Sequence, residues 1–377
     1  MAVTISHQSA LDVVRALRAD GQCLEKMDAV SPVSPTPWAG KHWGKGNFTP
    51  DVWRWGQPDA RHPLHVLAPS GRGRVRSNVV KAHAITRSLP PGSVLWLDEN
   101  SSIVCPELLF LQMSRTFSLP MLVLLGYELC GHFARSPEDP LGGRITDGLP
   151  AATSVERIRD YLSIFKGARG IARAKYALSF VGDHAISAPE AVLATMLSLP
   201  TSEAGYGMGP VLLNNRVNVD TEGSWVAAKK RFPDLMLSLA PVGMNYDGEE
   251  HLDLSGLVLA AQAAALADPD SSAEKQAKLL EKLQEVRAKV VDDNMRNRQL
   301  AAAGQIVFPV TKEDLYGEGH LDYLVRQVLD CARQVFGVDT GGFEVALEDT
   351  DSKRDRQELL NSMLAQGRSG RSSYGIA

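Results

Sequence analysis

The chain has 377 residues, which is more than one ordinary hydrophobic core holds and predicts two or three domains. Hydrophobic residues make up 44% of it and charged residues 22%, the composition of a soluble globular protein. No apolar run approaches about 18 residues and the start lacks the features of a secretory signal, so we expect neither a membrane span nor secretion. The four cysteines are widely spaced, which favours reduced thiols in a cytoplasmic protein over a structural zinc site.

Charge is unevenly distributed along the sequence. The formal net charge of −4 does not by itself indicate a nucleic-acid partner. Residues 61–90, however, contain six basic side chains and no acidic one. Such a segment can bind phosphate within a mildly acidic protein. Its Gly/Arg stretch makes Arg72, Arg74 and Arg76 candidate DNA contacts, although it lacks the ending of a P-loop and a solvated basic hairpin is the alternative.

The first half of the chain predicts short helices and strands in alternation. Leu11, Val14 and Leu17 recur at helical spacing and predict an amphipathic helix near the start. Strands are predicted at 64–67, 93–97 and 103–105, and helices at 107–114, 120–132, from 153 and at 171–181. We therefore expect a smaller N-terminal α+β domain over 1–150, which includes the basic segment, and a helical connector over 151–186.

The second half predicts an α/β core. A helix is expected from Ser187, followed by strands at 210–219, 233–239 and 241–247, a helical region over 254–303, a strand at 305–308 and a helix at 319–335. This order is a three-strand antiparallel meander followed by a helical crossover to a strand that pairs in parallel. The core is expected over 187–345, and the polar residues 346–377 predict a disordered tail.

Two acidic residues bracket the middle strands of this core. Asp234 opens one short apolar run and Asp247 closes the next, so adjacent antiparallel strands would bring both to the same edge of the sheet. Paired carboxylates on rigid strands suit Mg²⁺, which can polarise a phosphodiester and activate water. Asn245 shares a face with Asp247 because side chains alternate along a strand.

The resemblance to a known family is based on the order of these elements and on five short motifs. These are Ser187-Ala-Pro-Glu190, Asp234-Leu235, Asn245-Tyr246-Asp247, Asp293-Asn-Met-Arg296 and Val307-Phe-Pro-Val-Thr311. Over roughly 187–316 the chain resembles the restriction-endonuclease-like (PD-(D/E)xK) fold, and more closely a group of uncharacterised bacterial proteins related to very-short-patch-repair endonucleases. The resemblance implies a DNA partner and a metal site for Mg²⁺, with Mn²⁺ as a substitute, formed by Glu190, Asp234 and Asp247.

The N-terminal half resembles the corresponding part of the same bacterial proteins. The shared motifs are Leu64-His65-Val66, Pro106-Glu107-x-x-Phe-Leu-Gln-Met113 and Gly126-Tyr-Glu-Leu-Cys-Gly131. This arrangement is also loosely similar to abortive-infection antitoxin-type regulators, which implies a role in phage defence.

The sequence departs from the family pattern at its centre. The family's metal-facing glutamate is Asn245 here, an amide that brings no charge, and Asp247 stands where the usual lysine would be. His251 is a candidate proton shuttle or phosphate contact, and Arg296 and Arg298 are candidate phosphate contacts. Ordinary alternatives exist for each: a helix-start carboxylate for Glu190, a turn aspartate for Asp247, a solvated loop histidine, and helical arginines in surface ion pairs.

Three functions remain open on these grounds. The first is a Mg²⁺-dependent DNA endonuclease with a degenerate site. The second is a catalytically inactive DNA-binding regulator or phage-defence accessory. The third is a protein-interaction scaffold, which the negative net charge favours. The sequence predicts no particular oligomeric state.

Overall fold

A computed structural model describes the greater part of the chain: residues 3–30, 58–68, 78–137, 139–140, 144–214, 233–247, 254–266 and 272–364. Four of the predicted site residues lie outside this part, namely Arg72, Arg74, Arg76 and His251. The chain divides into two compact units. The first contains Met1–Gly205 and Leu359–Ala377, and the second contains Tyr206–Glu358.

The first unit is built on a mixed five-stranded sheet with the order β3-β2-β1-β5-β4. Its strands are β1 (Val3–Ile5), β2 (Leu64–Ala68), β3 (Val80–Ala84), β4 (Val94–Trp96) and β5 (Ser101–Val104). The central strand β1 pairs in parallel with β5 and antiparallel with β2, and β2 pairs in parallel with β3. A separate two-stranded ribbon pairs β6 (Phe133–Ala134) with β7 (Thr146–Asp147).

Six helices of the first unit pack its apolar core. They are α1 (His7–Ala19), α2 (Pro106–Met113), α3 (Leu119–Cys130), α4 (Val155–Ile164), α5 (Ile171–Leu178) and α6 (Ala188–Ser198). Every residue of α2 is buried, and it begins with Pro106 at a first-turn position as the sequence predicts. The cap of α4 is Ser154, one residue after the predicted helix start at Thr153. Ser154 caps it by accepting the Arg157 N–H, because Thr153 is turned inward and donates to Glu107.

A buried ion pair joins α1 to α3 within this core. Arg15 donates from Nε and Nη2 to the two carboxylate oxygens of Glu128, at 2.8 and 2.7 Å, and the two side chains are 4% and 2% exposed. The Arg135 N–H donates a further bond to Glu128 at 3.0 Å. Burial alone would raise the pKa of Glu128, but the charge and hydrogen bonds of Arg15 lower it below its ordinary value. The pair is therefore fully ionised inside the unit.

The second unit is built on a four-stranded sheet with the order β11-β10-β9-β8. Its strands are β8 (Val211–Leu213), β9 (Leu235–Leu237), β10 (Val242–Asp247) and β11 (Ile306–Thr311). The first three form an antiparallel meander, and β11 pairs in parallel with β10. The connection to β11 contains the helices α7 (Leu254–Ala265) and α8 (Ser272–Ala302). The predicted mixed α/β class is confirmed at this coarse level.

Close strand packing in the second unit depends on one glycine. A Cβ added at Gly243 of β10 would lie 2.9 Å from the Leu235 carbonyl oxygen and 2.8 Å from Met236 Sδ on β9. Both distances are shorter than ordinary van der Waals contact, so the side chain of any other residue would push the two strands apart. The absence of a Cβ therefore allows β9 and β10 to approach closely just before the acidic edge of the sheet.

The last described helices of the chain are α9 (Lys312–Tyr316), α10 (His320–Phe336), α11 (Gly341–Glu348) and α12 (Thr350–Leu364). The second unit includes α12 as far as Glu358. Residues 346–364 are thus helical, although their polarity predicts a disordered tail. One physical reason is Arg356, which is 3% exposed and donates to both carboxylate oxygens of Asp322 on α10 at 2.8 and 2.7 Å. Asp322 also accepts a bond from the Tyr206 hydroxyl at 2.7 Å. The segment is therefore ordered by this ion pair together with the burial of a few apolar side chains, namely Leu347, Leu360, Met363 and Leu364.

Among the helices that the structure describes, none combines the length and the apolar character that a membrane crossing requires.

Candidate functional sites

The edge of the second sheet holds two of the predicted metal ligands. Asp234 directly precedes β9 and Asp247 is the last residue of β10. The antiparallel register pairs Leu235 with Met244, so Asp234 lies beside Asn245. Asp234 Oδ2 accepts the backbone N–H of Tyr246 at 2.7 Å, which fixes its carboxylate against β10. Asp234 and Asp247 therefore lie at the same end of neighbouring strands, as the sequence predicts.

Asn245 has a clear structural contact at this edge. Its side chain is buried, with 2% of the residue exposed, and its Oδ1 accepts the backbone N–H of Asp234 at 3.0 Å. With the bond from Tyr246 to Asp234, this gives two reciprocal side-chain-to-backbone bonds between the strands. A neutral amide fills this buried position without the desolvation cost of a carboxylate. The amide oxygen of Asn245 thus points at a backbone donor.

Glu190, the third predicted ligand, belongs to the first unit. It is the third residue of α6, and its carboxylate accepts bonds from the Ser187 hydroxyl and the Ile186 N–H, each at 3.0 Å. Ser187 Oγ in turn accepts the Glu190 N–H at 3.4 Å. Ser187 therefore caps the helix, and both carboxylate oxygens of Glu190 bond to the residues just before it, which stabilises the start of α6.

The two predicted phosphate-contact arginines of α8 make contacts within their own helix. Arg296 Nη2 lies 3.5 Å from Asp293 Oδ1, one turn earlier, and Arg298 Nε donates to the Asn294 carbonyl oxygen at 3.3 Å. Surface ion pairs of this kind contribute little stability, so these contacts would give way to a phosphate at small cost.

Three histidines in the first unit form a second candidate site that sequence patterns did not reveal. Within the part of the chain that the structure describes, His7, His65 and His83 are the one group whose geometry suits a metal ion, with ligand nitrogens within 4.8 Å of one another. His83 Nε2 lies 3.1 Å from His65 Nδ1. The rings of His7 and His83 stack with their centroids 3.5 Å apart and an interplanar angle of 16°. We call these three residues the histidine cluster.

The sheet brings the cluster together from distant parts of the chain. His65 lies in β2 and His83 in β3, and the parallel register pairs His65 with Lys81 and Leu67 with His83. Residues at alternate positions share a face, so the two histidines lie on the same side of the sheet. His7 is the first residue of α1, immediately after β1. No local motif links three residues so far apart, and only strand pairing could have identified them.

The backbone at His7 is strained. Its φ is +51°, in the left-handed region that is uncommon for residues other than glycine, although histidine adopts it more often than most. Such a conformation costs on the order of 1–3 kcal/mol and persists where the surroundings hold it in place. Here the Gln112 side chain accepts the His7 N–H at 2.9 Å, and Ser6 Oγ lies 3.1 Å from His7 Nδ1. These contacts hold His7 in a backbone conformation that lowers the stability of the fold but keeps its ring in the cluster.

Two of the three rings, His7 and His65, are held in the neutral form near neutral pH. Burial, followed by the positive charge of His83, His65, Arg115 and Lys81, lowers the pKa of His7 to about 2. Burial and then Lys81 lower the pKa of His65 to about 4. Neutral imidazoles are the form that binds transition metals.

No protein-family model matches the chain, and neither a curated protein nor a solved structure matches it. Two places in the described structure therefore bear on function: the sheet edge with Asp234 and Asp247, and the histidine cluster.

Proposed function

We propose that the second unit is a nuclease-type domain that acts on DNA. The observation that supports this is the sheet itself: an antiparallel meander with a parallel fourth strand, and Asp234 and Asp247 at one end of β9 and β10. This is the strand arrangement that the resemblance to restriction-endonuclease-like proteins implies. The two acidic side chains at one edge of this sheet support the proposal, because the resemblance implies a metal site formed by them.

The side chains at this edge suit Mg²⁺ or Mn²⁺, because carboxylate oxygens are the preferred ligands of hard divalent cations. Asp234 and Asp247 would hold the ion. We leave Glu190 out of the proposed ligand set because both of its oxygens cap α6. When bound, the cation would polarise a phosphodiester and lower the pKa of a water. With one neutral amide in place of the family glutamate, binding is expected to be weak.

The second candidate function is DNA binding without cleavage, as in a regulator or a phage-defence accessory. The contact that favours it is the bond from the Asp234 N–H to Asn245 Oδ1, which occupies the amide oxygen within the protein. A nuclease-type domain that has lost its cleavage activity would keep the same sheet and the same two acidic residues at its edge. Both candidates require DNA to bind, and they differ only in whether the bound DNA is cut.

Supercoiled plasmid incubated with Mg²⁺ or Mn²⁺ separates the two candidates. If the first is right, the wild-type chain nicks or linearises the plasmid, Asp234→Ala abolishes this, and Asp351→Ala does not. Asp351 is a suitable control because it is an exposed acid on α12 of the same unit, far along the chain from the sheet edge. Salt-sensitive binding without cutting supports the second candidate. If the chain neither cuts nor binds, it does not act on DNA, and the interaction scaffold is the remaining alternative.

Asn245→Glu refines this test. The substitution restores the carboxylate that the resembled family carries, and it also removes the amide oxygen that accepts the Asp234 N–H. A gain of metal-dependent cutting in this variant would identify Asn245 as the substitution that weakens the site. No gain, in a variant whose unfolding curve shows it to be folded, would assign Asn245 to strand pairing alone.

A further inference from the structure

The histidine cluster brings three imidazole nitrogens within reach of one metal ion, whereas the His132–His184 pair has no third ligand among the described residues. His83 Nε2 and His65 Nδ1 are 3.1 Å apart. Two nitrogens bound to one tetrahedral Zn²⁺ at 2.0–2.1 Å are separated by about 3.3 Å. The third imidazole stacks on His83 and lies within the same 4.8 Å limit for ligand atoms. To bind one ion, His7 and His83 would have to leave their stacked arrangement and turn one nitrogen each towards the ion.

We propose that His7, His65 and His83 bind one first-row transition-metal ion of the Zn²⁺ type in the first unit. Imidazole nitrogen is a preferred ligand of Zn²⁺, Co²⁺, Ni²⁺ and Cu²⁺ and a poor ligand of Mg²⁺ and Ca²⁺. Three protein ligands leave a fourth position of the tetrahedron for solvent or another small ligand. This site is independent of the proposed Mg²⁺ site, since it uses different residues and a different class of metal.

Outer contacts already orient the rings and their backbone. Ser6 Oγ lies 3.1 Å from His7 Nδ1, which leaves Nε2 as the ring nitrogen for the metal. Gln112 accepts the His7 N–H at 2.9 Å, and Ser9 Oγ accepts the His65 N–H at 2.9 Å. Metal-binding histidines usually have such partners, because a fixed ring loses less entropy on coordination. Metal binding would also account for the left-handed backbone at His7, since that conformation holds its ring beside His83.

The charges around the cluster indicate what the fourth position would take. Lys81 and Arg115 are permanent positive charges near His7, and an imidazole that binds a metal through a ring nitrogen adds no charge. The ion would therefore keep its full double charge in an already positive environment. His65 and His83 are partly exposed, so solvent reaches the cluster. A hydroxide or a small anion is the fourth ligand that this environment favours.

Metal titration of the full chain tests the proposal. The protein is prepared without a polyhistidine tag, stripped with a chelator and titrated with Co²⁺, whose four-coordinate complexes absorb strongly in the visible range. We expect one equivalent to bind, with the visible band, and Zn²⁺ to displace it. His65→Gln and His83→Gln should each weaken binding by more than about tenfold, a loss seen even when only an outer partner is removed.

His184→Gln is the matched control. His184 pairs with His132 in the same unit, with ring nitrogens 3.2 Å apart, but the described part of the chain places no third ligand with them. This variant should bind Co²⁺ as the wild type does. The proposal is overturned if the stripped wild-type chain shows no four-coordinate Co²⁺ band. It is also overturned if folded His65→Gln and His83→Gln bind with wild-type affinity, since the metal would then lie elsewhere.

Failure to fold is separated from loss of the site by a second substitution. Ser6→Ala leaves all three imidazoles in place and removes only the hydroxyl beside His7 Nδ1. We expect it to lower Co²⁺ affinity by about tenfold while the visible band persists. An unchanged affinity would contradict the orienting role of Ser6 and the choice of Nε2 on His7.

Discussion

Asp234 has two roles in this account, and a pair of substitutions separates them. Its carboxylate accepts the Tyr246 N–H at 2.7 Å, which stabilises the pairing of β9 and β10, and it is a proposed ligand of the divalent cation. Asp234→Ala removes both roles. Asp234→Asn keeps an oxygen that can accept the same N–H and removes only the charge.

The expected magnitudes derive from these contacts. Asp234→Ala leaves a part-buried N–H without this acceptor, which costs about 1–3 kcal/mol of unfolding free energy. Asp234→Asn exchanges a charged acceptor for a neutral one and should cost about 1 kcal/mol less than that. For cation binding, unlike for stability, the two substitutions should have similar effects, because both remove the negative charge. A unit charge about 4 Å from another interacts by about 4 kcal/mol at an effective dielectric constant of 20, so loss of the charge should weaken Mn²⁺ binding at least tenfold in both variants.

Urea unfolding followed by circular dichroism measures the first role, and Mn²⁺ titration followed by electron paramagnetic resonance measures the second. The account predicts that Asp234→Asn is nearly as stable as the wild type and nonetheless loses Mn²⁺ affinity and any plasmid cutting. If Asp234→Asn binds Mn²⁺ and cuts plasmid like the wild type, Asp234 only joins two strands and the proposed metal site is wrong.

Three further predictions concern stability. Glu128→Ala leaves Arg15 buried without its carboxylate and should cost about 3–5 kcal/mol, whereas the double variant Arg15→Met with Glu128→Leu should recover most of this in urea unfolding. Gly243→Ala should destabilise the second unit by about 1–3 kcal/mol, because the new Cβ meets β9 below contact distance; an unchanged midpoint would disprove the close packing. Lowering the pH from about 6.5 towards 4 should destabilise the metal-free protein, because the unfolded chain protonates His7 and His65 whereas the folded rings stay neutral. Measured as the slope of unfolding free energy against pH, the effect should shrink in His65→Gln.

The architecture of the second unit could be predicted because local patterns determine it. Short apolar runs separated by turns form the meander, and the long helical region between β10 and β11 requires a crossover that makes β11 parallel. The common edge of Asp234 and Asp247 follows from the antiparallel order of β9 and β10 alone.

The contacts of individual side chains could not be predicted in the same way. Glu190 follows Ser187 by three residues, a spacing that serves a capping box as well as a metal site, and the structure shows the cap. The helical order of residues 346–364 depends partly on the pairing of Arg356 with Asp322, 34 residues earlier, which no local pattern encodes. The segment also buries a few apolar side chains, but these are too sparse among polar residues to predict a packed helix.

The histidine cluster was missed for a related reason. His7, His65 and His83 lie in three elements, and their convergence depends on the order β3-β2-β1 within a mixed sheet. The one local signal was the alternation of His65 with buried residues in β2, which places its ring on one face without saying what lies beside it.

The proposal that Asp234 and Asp247 bind a metal ion beside DNA is tested most directly by a crystal structure. The full chain would be crystallised with a short DNA duplex and Mn²⁺, and anomalous scattering would locate the ion. The account predicts a peak at coordination distance from the carboxylates of Asp234 and Asp247, with a phosphate of the duplex beside it. A duplex bound elsewhere, or a sheet edge without manganese, would contradict the assignment of this unit to the nuclease type.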